Sequence, residues 1–216
     1  MLIFDMDGTL IDSNGIWREV DEAFLAKRGY PYTQAYYEGV AHTIFPLAAK
    51  FTKAYCHLEE SEEEIMAEWM AMAGDAYAAR VPVKPGVRAY LEQCRARGER
   101  MIVLTSSVPE HCLAALGRLE LTPYFEQILF AHDLGMDKKD PETFCHAARL
   151  MGVAPEACTV YDDSVAACQA AREAGMQVTG VYDAFFHVSW PQMQQCCHRL
   201  IRSFEELLEE SGRRLE

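Results

Sequence analysis

The sequence predicts an α/β protein: a doubly wound parallel sheet with a small, all-helical insertion near its start. Three observations lead there. Short, wholly apolar runs recur along the chain, each too short for a helix and without the alternation of a half-exposed strand, so they suit strands buried on both faces. Helical patterns with readable ends lie between most of them. After the first run this alternation is interrupted by about seventy residues of purely helical pattern, bounded by two turn-rich stretches.

The elements follow in order. Met1-Leu2-Ile3-Phe4 is the first strand, ending at Asp5. Asp12-Ser13-Asn14-Gly15 and Pro82-Val83-Lys84-Pro85-Gly86 read as hinges. Between them Ile16, Val20 and Phe24 share one helical face, Ile65, Trp69, Met72 and Ala76 another, and Ser61 with Glu64 forms a capping box. Residues 14–83 are therefore expected as a helical lid, and residues 1–13 with 84–216 as the α/β core. Pro85 opens the next helix, which Gly98 closes, and Met101–Leu104 is the second strand. Ser107 and Glu110 suit a second capping box. Ile128–Ala131 is a third strand, Asp140-Pro141 opens a helix ending at Gly152, and Cys158–Tyr161 is a fourth strand. Ser164 caps a helix closed by Gly175, and Gln177–Val181 is a fifth strand. Met193, Cys197, Leu200, Phe204 and Leu208 keep helical spacing, which predicts an amphipathic tail helix, and the last six residues are expected to fray. In sheets of this kind ligands bind at the carboxyl ends of the strands.

Composition narrows the function. The 216 residues carry 20 Lys and Arg against 33 Asp and Glu, a net charge of −13, with half the residues hydrophobic. Such an acidic chain repels phosphate backbones and anionic lipid, so neither nucleic acid nor membrane is expected as a partner, and an anionic substrate needs a local attractor. No apolar run approaches the roughly 20 residues of a membrane span, and Asp5 and Asp7 interrupt the amino terminus, so a cytoplasmic protein is expected. The eight cysteines form no Cys-x-x-Cys pair; four have a neighbouring histidine, but adjacent helical residues diverge by about 100°, so free buried thiols are expected rather than a zinc site.

The chemistry-bearing residues cluster at strand ends. Asp5-Met6-Asp7-Gly8-Thr9 follows the first strand, where a glycine-assisted turn brings two carboxylates together; like charges so close call for a cation or a proton. Asp-x-Asp-Gly also begins calcium loops, but Ile16 stands where such a loop needs glutamate. Thr105-Ser106-Ser107 follows the second strand, Lys138-Lys139 precedes the helix at Asp140, and Asp162-Asp163-Ser164 follows the fourth strand. Acids, a hydroxyl and a lysine on separate parallel strands suit magnesium and a phosphate.

This order of motifs resembles the haloacid dehalogenase (HAD) superfamily, with its Rossmann-like core, over nearly the whole chain. It is most similar to the branch with a helical cap after the first motif, home to phosphoglycolate phosphatase-like and beta-phosphoglucomutase-like proteins. The resemblance implies Asp5 as nucleophile forming an aspartyl-phosphate and Asp7 as the acid and base. Thr105, Ser106 and Lys138 would bind the phosphate, with Thr105 and Lys138 also serving catalysis, and Lys139 competes with Lys138 for that place. Magnesium would be held by Asp5, the Asp7 carbonyl and Asp163, with Asp162 beside them. Several departures shape the activity: Ala167 stands where many relatives have an aspartate, Asp7 argues against dehalogenation and phosphonate cleavage, and Trp17 replaces the cap-hinge histidine of the mutases. The expected activity is a magnesium-dependent phosphatase for a small phosphorylated metabolite, with a phosphosugar mutase and a non-catalytic binding protein as rivals. Arg18, Arg28, His42 and Lys50 in the cap are expected as surface side chains.

Overall fold

The computed structural model describes residues 1–40 and 45–208. The chain divides into two compact units, residues 1–14 with 80–216, and residues 15–79.

The larger unit is a six-stranded, all-parallel sheet. Its strands are β1 (Leu2–Phe4), β2 (Met101–Thr105), β3 (Gln127–Phe130), β4 (Thr159–Asp162), β5 (Gln177–Val181) and β6 (Arg199–Ile201). Their spatial order is β3-β2-β1-β4-β5-β6. Leu2, Ile3 and Phe4 pair with Met101, Ile102 and Val103 on one side and with Thr159, Val160 and Tyr161 on the other. The chain winds outward from β1 in one direction and then, beginning with β4, in the other, so the sheet reverses between β1 and β4. A crevice at the carboxyl ends belongs there.

Burial on both faces explains why the strands read as continuous apolar runs. Successive residues of a strand point to opposite faces. Ile3, Ile102, Leu104 and Val160 pack with Phe144, Ala147, Ala148 and Cys168. Phe4 faces the other way, stacked on Tyr161 at 4.7 Å between ring centroids and edge-on to Tyr90. Phe204 closes that aromatic group, and Tyr90 and Tyr161 join through their hydroxyls at 2.6 Å.

The smaller unit consists of α1 (Ile16–Lys27), α2 (Gln34–Val40), α3 (Phe45–Tyr55) and α4 (Glu62–Ala79). Leu25, Tyr36 and Cys56 form one part of its core; Phe24 meets Trp69 edge-to-face at 5.5 Å. The capping box opening α4 is present, with Glu64 N–H donating to Ser61 Oγ at 3.1 Å and Ser61 N–H to Glu64 at 2.8 Å. Arg28 stacks on Phe24 at 3.7 Å and pairs with Glu60 and Glu68, so it is a structural clamp rather than a surface side chain. Arg18 pairs with Glu22, Lys50 is exposed, and His42 lies outside the described residues.

The core helices are α5 (Val87–Ala96), α6 (Pro109–Arg118), α7 (Pro141–Leu150), α8 (Val165–Glu173) and α9 (Trp190–Cys196). Asp140 caps α7 by accepting from Glu142 N–H at 2.9 Å. Ser164 caps α8, accepting from Ala167 N–H. The expected box at Ser107 and Glu110 does not form: Val108 takes the capping position in extended conformation, and Ser107 N–H turns back to Thr105 Oγ1 at 2.9 Å.

The single tail helix is also corrected. The chain leaves α9 after Cys196 and enters β6, and residues 205–208 are again helical. The periodic apolar residues therefore serve three elements. A side chain on Gly180 of β5 would meet Leu200, Cys197 and Met193 atoms at 2.7–2.9 Å, so these residues close over the one position of the strand that has no Cβ. The final six residues, expected to fray, lie outside the described residues.

Candidate active site

Asp5 sits where β1 ends, and its N–H donates to Tyr161 O of β4 at 2.9 Å, placing it at the point of sheet reversal. One oxygen each from Asp5, Asp162 and Asp163 can lie within 4.8 Å of one another, and all three residues are buried. Lys138, likewise buried, reaches between them: its Nζ is 2.5 Å from Asp5 Oδ1 and 2.7 Å from Asp162 Oδ2. Lys139 is exposed, and its N–H donates to Asp137 at 3.0 Å. Of the two adjacent lysines, the structure brings Lys138 to the acids.

One ammonium does not balance three buried carboxylates. Burial pushes the Asp5 carboxyl up to about 7, Lys138 opposes this, and the neighbouring charges of Asp162 and Asp7 reinforce it. Asp163 is raised too, first by burial and then by Asp5, Asp162 and Asp183. Its visible relief is one hydrogen bond, from Asn14 Nδ2 to Oδ2 at 2.7 Å. For Lys138, burial favours the neutral amine, but the Asp162 and Asp5 carboxylates outweigh it and hold the group firmly protonated. Buried hard oxygens with surplus negative charge fit a divalent cation such as magnesium.

Asp7 stands outside that triad, half-buried, with Ser13 Oγ donating to its Oδ1 at 2.5 Å. Gly8 has φ +77°, a backbone state that glycine adopts without strain. A Cβ there would lie 2.1 Å from Asn14 Nδ2 and 2.2 Å from Asp163 Oδ2, so the glycine makes room for the acids as well as for the turn. Thr105 ends β2, buried, next to β1 in the sheet; Ser106 follows it and is exposed. Asp162 Oδ1 also accepts from Ser164 N–H at 2.9 Å, so this acid anchors both Lys138 and the start of α8. Cys112 is buried nearby; desolvation, then Asp7 and Asp5, push its thiol up to about 12, which leaves it un-ionised and inert.

Reasoning from sequence missed a second lysine. Lys84 Nζ donates to Gly8 O at 2.6 Å, Tyr182 O at 2.8 Å and Asp183 Oδ2 at 2.9 Å. It ties the loop after β1 to the loop after β5, and its partner Asp183 is buried. Asn14 was likewise read only as part of a hinge. The faint signal for Lys84 was a lysine set between Val83 and Pro85, close to a second proline at Pro82, where a purely solvated hinge needs no such side chain.

The comparison with known families settles the kinship. The model of haloacid dehalogenase-like hydrolases matches residues 1–175. The chain belongs to that family. Among curated relatives, a phosphorylated carbohydrates phosphatase of Thermotoga maritima is 26% identical over 176 residues, 82% of each chain. The fructose-1-phosphate phosphatase YqaB of Escherichia coli is 30% identical over 194 residues, 83% of this chain and 95% of the other. A solved HAD family hydrolase from Deinococcus radiodurans, with bound phosphate and sodium, shares the fold at a TM-score of 0.77 and 23% identity, covering 98% of this chain and 95% of that one. This HAD protein thus belongs to a family of hydrolases, and both of these curated relatives are named as phosphatases. Among the described residues no helix is long and apolar enough to cross a membrane.

Proposed function

We propose that the protein is a magnesium-dependent phosphatase for a small phosphorylated metabolite and that it works through an aspartyl-phosphate on Asp5. The observation that carries this reading is the Asp5–Lys138 pair at 2.5 Å, set among Asp162 and Asp163 at the sheet's reversal point. A carboxylate beside a buried ammonium stays anionic when its neighbours are screened, and so can act as a nucleophile.

In the proposed reaction an Asp5 oxygen bonds to phosphorus while the bond to the ester oxygen breaks, and Asp7 donates a proton to the departing alcohol. Asp7 then takes a proton from water; that water's oxygen bonds to phosphorus, the Asp5–phosphorus bond breaks, and inorganic phosphate leaves. Lys138, Thr105 and the Ser106 N–H would hold the phosphoryl oxygens. The Asp5 and Asp163 carboxylates and the Asp7 carbonyl would hold magnesium, with Asp162 beside them. When bound, the ion supplies charge neutralisation for a transition state governed by positioning and electrostatics. Residues 14–83 would form a cap domain and residues 1–13 with 84–216 the catalytic core. Hydrolysis is favoured over sugar-phosphate isomerisation by Trp17 at the hinge position and by relatives named as phosphatases.

The test is phosphate release from a panel of phosphorylated sugars, acids and nucleotides. Activity should appear with magnesium, vanish with a chelator, and fall at least about a thousandfold in Asp5→Asn. Acid-quenched enzyme should carry one added phosphoryl group on the peptide containing Asp5. A modified peptide without Asp5, or undiminished turnover by Asp5→Asn, would overturn the proposal.

A further inference from the structure

The helical unit contains a cavity of about 140 Å³ lined by Trp17, Asp21, Val40, Phe45, Ala48 and Trp69. Its chemistry is lopsided: three aromatic rings, two aliphatic side chains and one acid. Phe45 contacts Trp17 at 5.4 Å and an interplanar angle of 75°, and contacts Trp69 at 5.4 Å and 64°. Rings meeting at such steep angles form the corners of a box rather than a stack. Phe24 packs against Trp69, which fixes that wall in place.

Asp21 is the one charged side chain among the described residues that line the box. Tyr36 O–H donates to its Oδ1 at 3.2 Å, and that hydroxyl is held in turn by Thr52 at 2.9 Å. Among the described residues no lysine or arginine pairs with it. Arg18, one turn earlier on α1, pairs with Glu22 and lies over Tyr32. Burial pushes the Asp21 carboxyl up to about 6; the tyrosine hydroxyl opposes this and Glu22 adds to it, so at neutral pH the acid is mostly an anion still lacking a counter-charge.

We propose that this cavity binds a small quaternary ammonium group, such as the head of a choline-like molecule. Aromatic faces attract cations through the ring quadrupole, more strongly when the site is desolvated, and Asp21 supplies the formal opposite charge. The lining discriminates among cations. A primary ammonium brings three N–H donors and meets one acceptor side chain among the described lining residues, so its lost hydration is only partly replaced there. A tetraalkylated nitrogen has no donors to satisfy and presents methyl groups to rings and aliphatic side chains. The volume equals that of about five water molecules in the liquid, which suits the five heavy atoms of a tetramethylated nitrogen. This site stands on side chains of the helical unit alone and does not depend on the phosphatase reading.

Titration calorimetry on the full chain at about pH 8, where Asp21 is ionised, tests it with three probes: choline, its neutral isostere 3,3-dimethylbutan-1-ol, and ethanolamine. Choline should bind saturably, and at least about tenfold more tightly than either of the others. Asp21→Asn and Trp17→Leu should each weaken choline binding by about tenfold, with circular dichroism confirming that both variants are folded. Equal affinity for the neutral isostere, tighter binding of ethanolamine, or the absence of saturable heat with choline would overturn the proposal. The comparison of probes on the unmodified protein keeps it decidable even if a variant does not fold.

Discussion

Lys138 is the residue on which the acid cluster turns, because its ammonium pairs with both Asp5 and Asp162. Removing one partner of a buried ion pair leaves the other charge uncompensated, which costs about 3–5 kcal/mol. Lys138→Met should therefore lose activity and stability together. Asp5→Asn should behave differently: it removes one of three crowded carboxylates, so activity goes while the metal-free protein keeps its stability or gains some. Denaturant unfolding of the two variants without magnesium checks the contrast, and equal destabilisation would refute the charge-surplus account. Sequence reasoning singled out Asp5, Asp7, Asp162, Asp163 and Thr105 as candidates because each adjoins a readable strand end. It left Lys138 and Lys139 open, since only burial separates them, and it passed over Lys84, whose partner Asp183 lies 99 residues away.

At the scale of elements, local signals that act through neighbouring residues were legible, and signals that depend on distant packing were not. The Ser61–Glu64 box is closed entirely within four residues, so the sequence alone predicts it correctly. Ser61→Ala should lower stability by about 1 kcal/mol, with thermal unfolding as the readout, and no loss would mean that α4 is held by packing alone. Ser107 and Glu110 present the same pattern, yet Pro109 fixes the first helical position and Thr105 Oγ1 captures the Ser107 N–H, so the helix starts from Val108. The tail misled for a related reason. Met193, Cys197 and Leu200 recur at helical spacing, but all three converge on the bare surface of Gly180, which a strand at β6 reaches and a continuous helix does not.

For the whole molecule, the acidic excess and the buried acids combine into a pH-dependent stability. Asp5, raised to about 7 from an ordinary value of 3.8, and Asp163, raised with it, bind protons in the folded metal-free state that the unfolded chain has already released. The folded state holds more protons over that interval, so stability falls as pH climbs from about 4 through about 7. Magnesium opposes this trend: a cation stabilises the ionised acids, and binding to the folded state alone adds stability that grows with the logarithm of the free ion concentration above its Kd. Thermal unfolding should thus show the metal-free protein more stable near pH 5 than near pH 8. Saturating magnesium should raise the melting temperature more at pH 8 than at pH 5, because at the lower pH the ion competes with protons for the same oxygens. A magnesium effect independent of pH would mean that the ion binds away from Asp5 and Asp163, and in Asp5→Asn the difference between the two pH values should shrink.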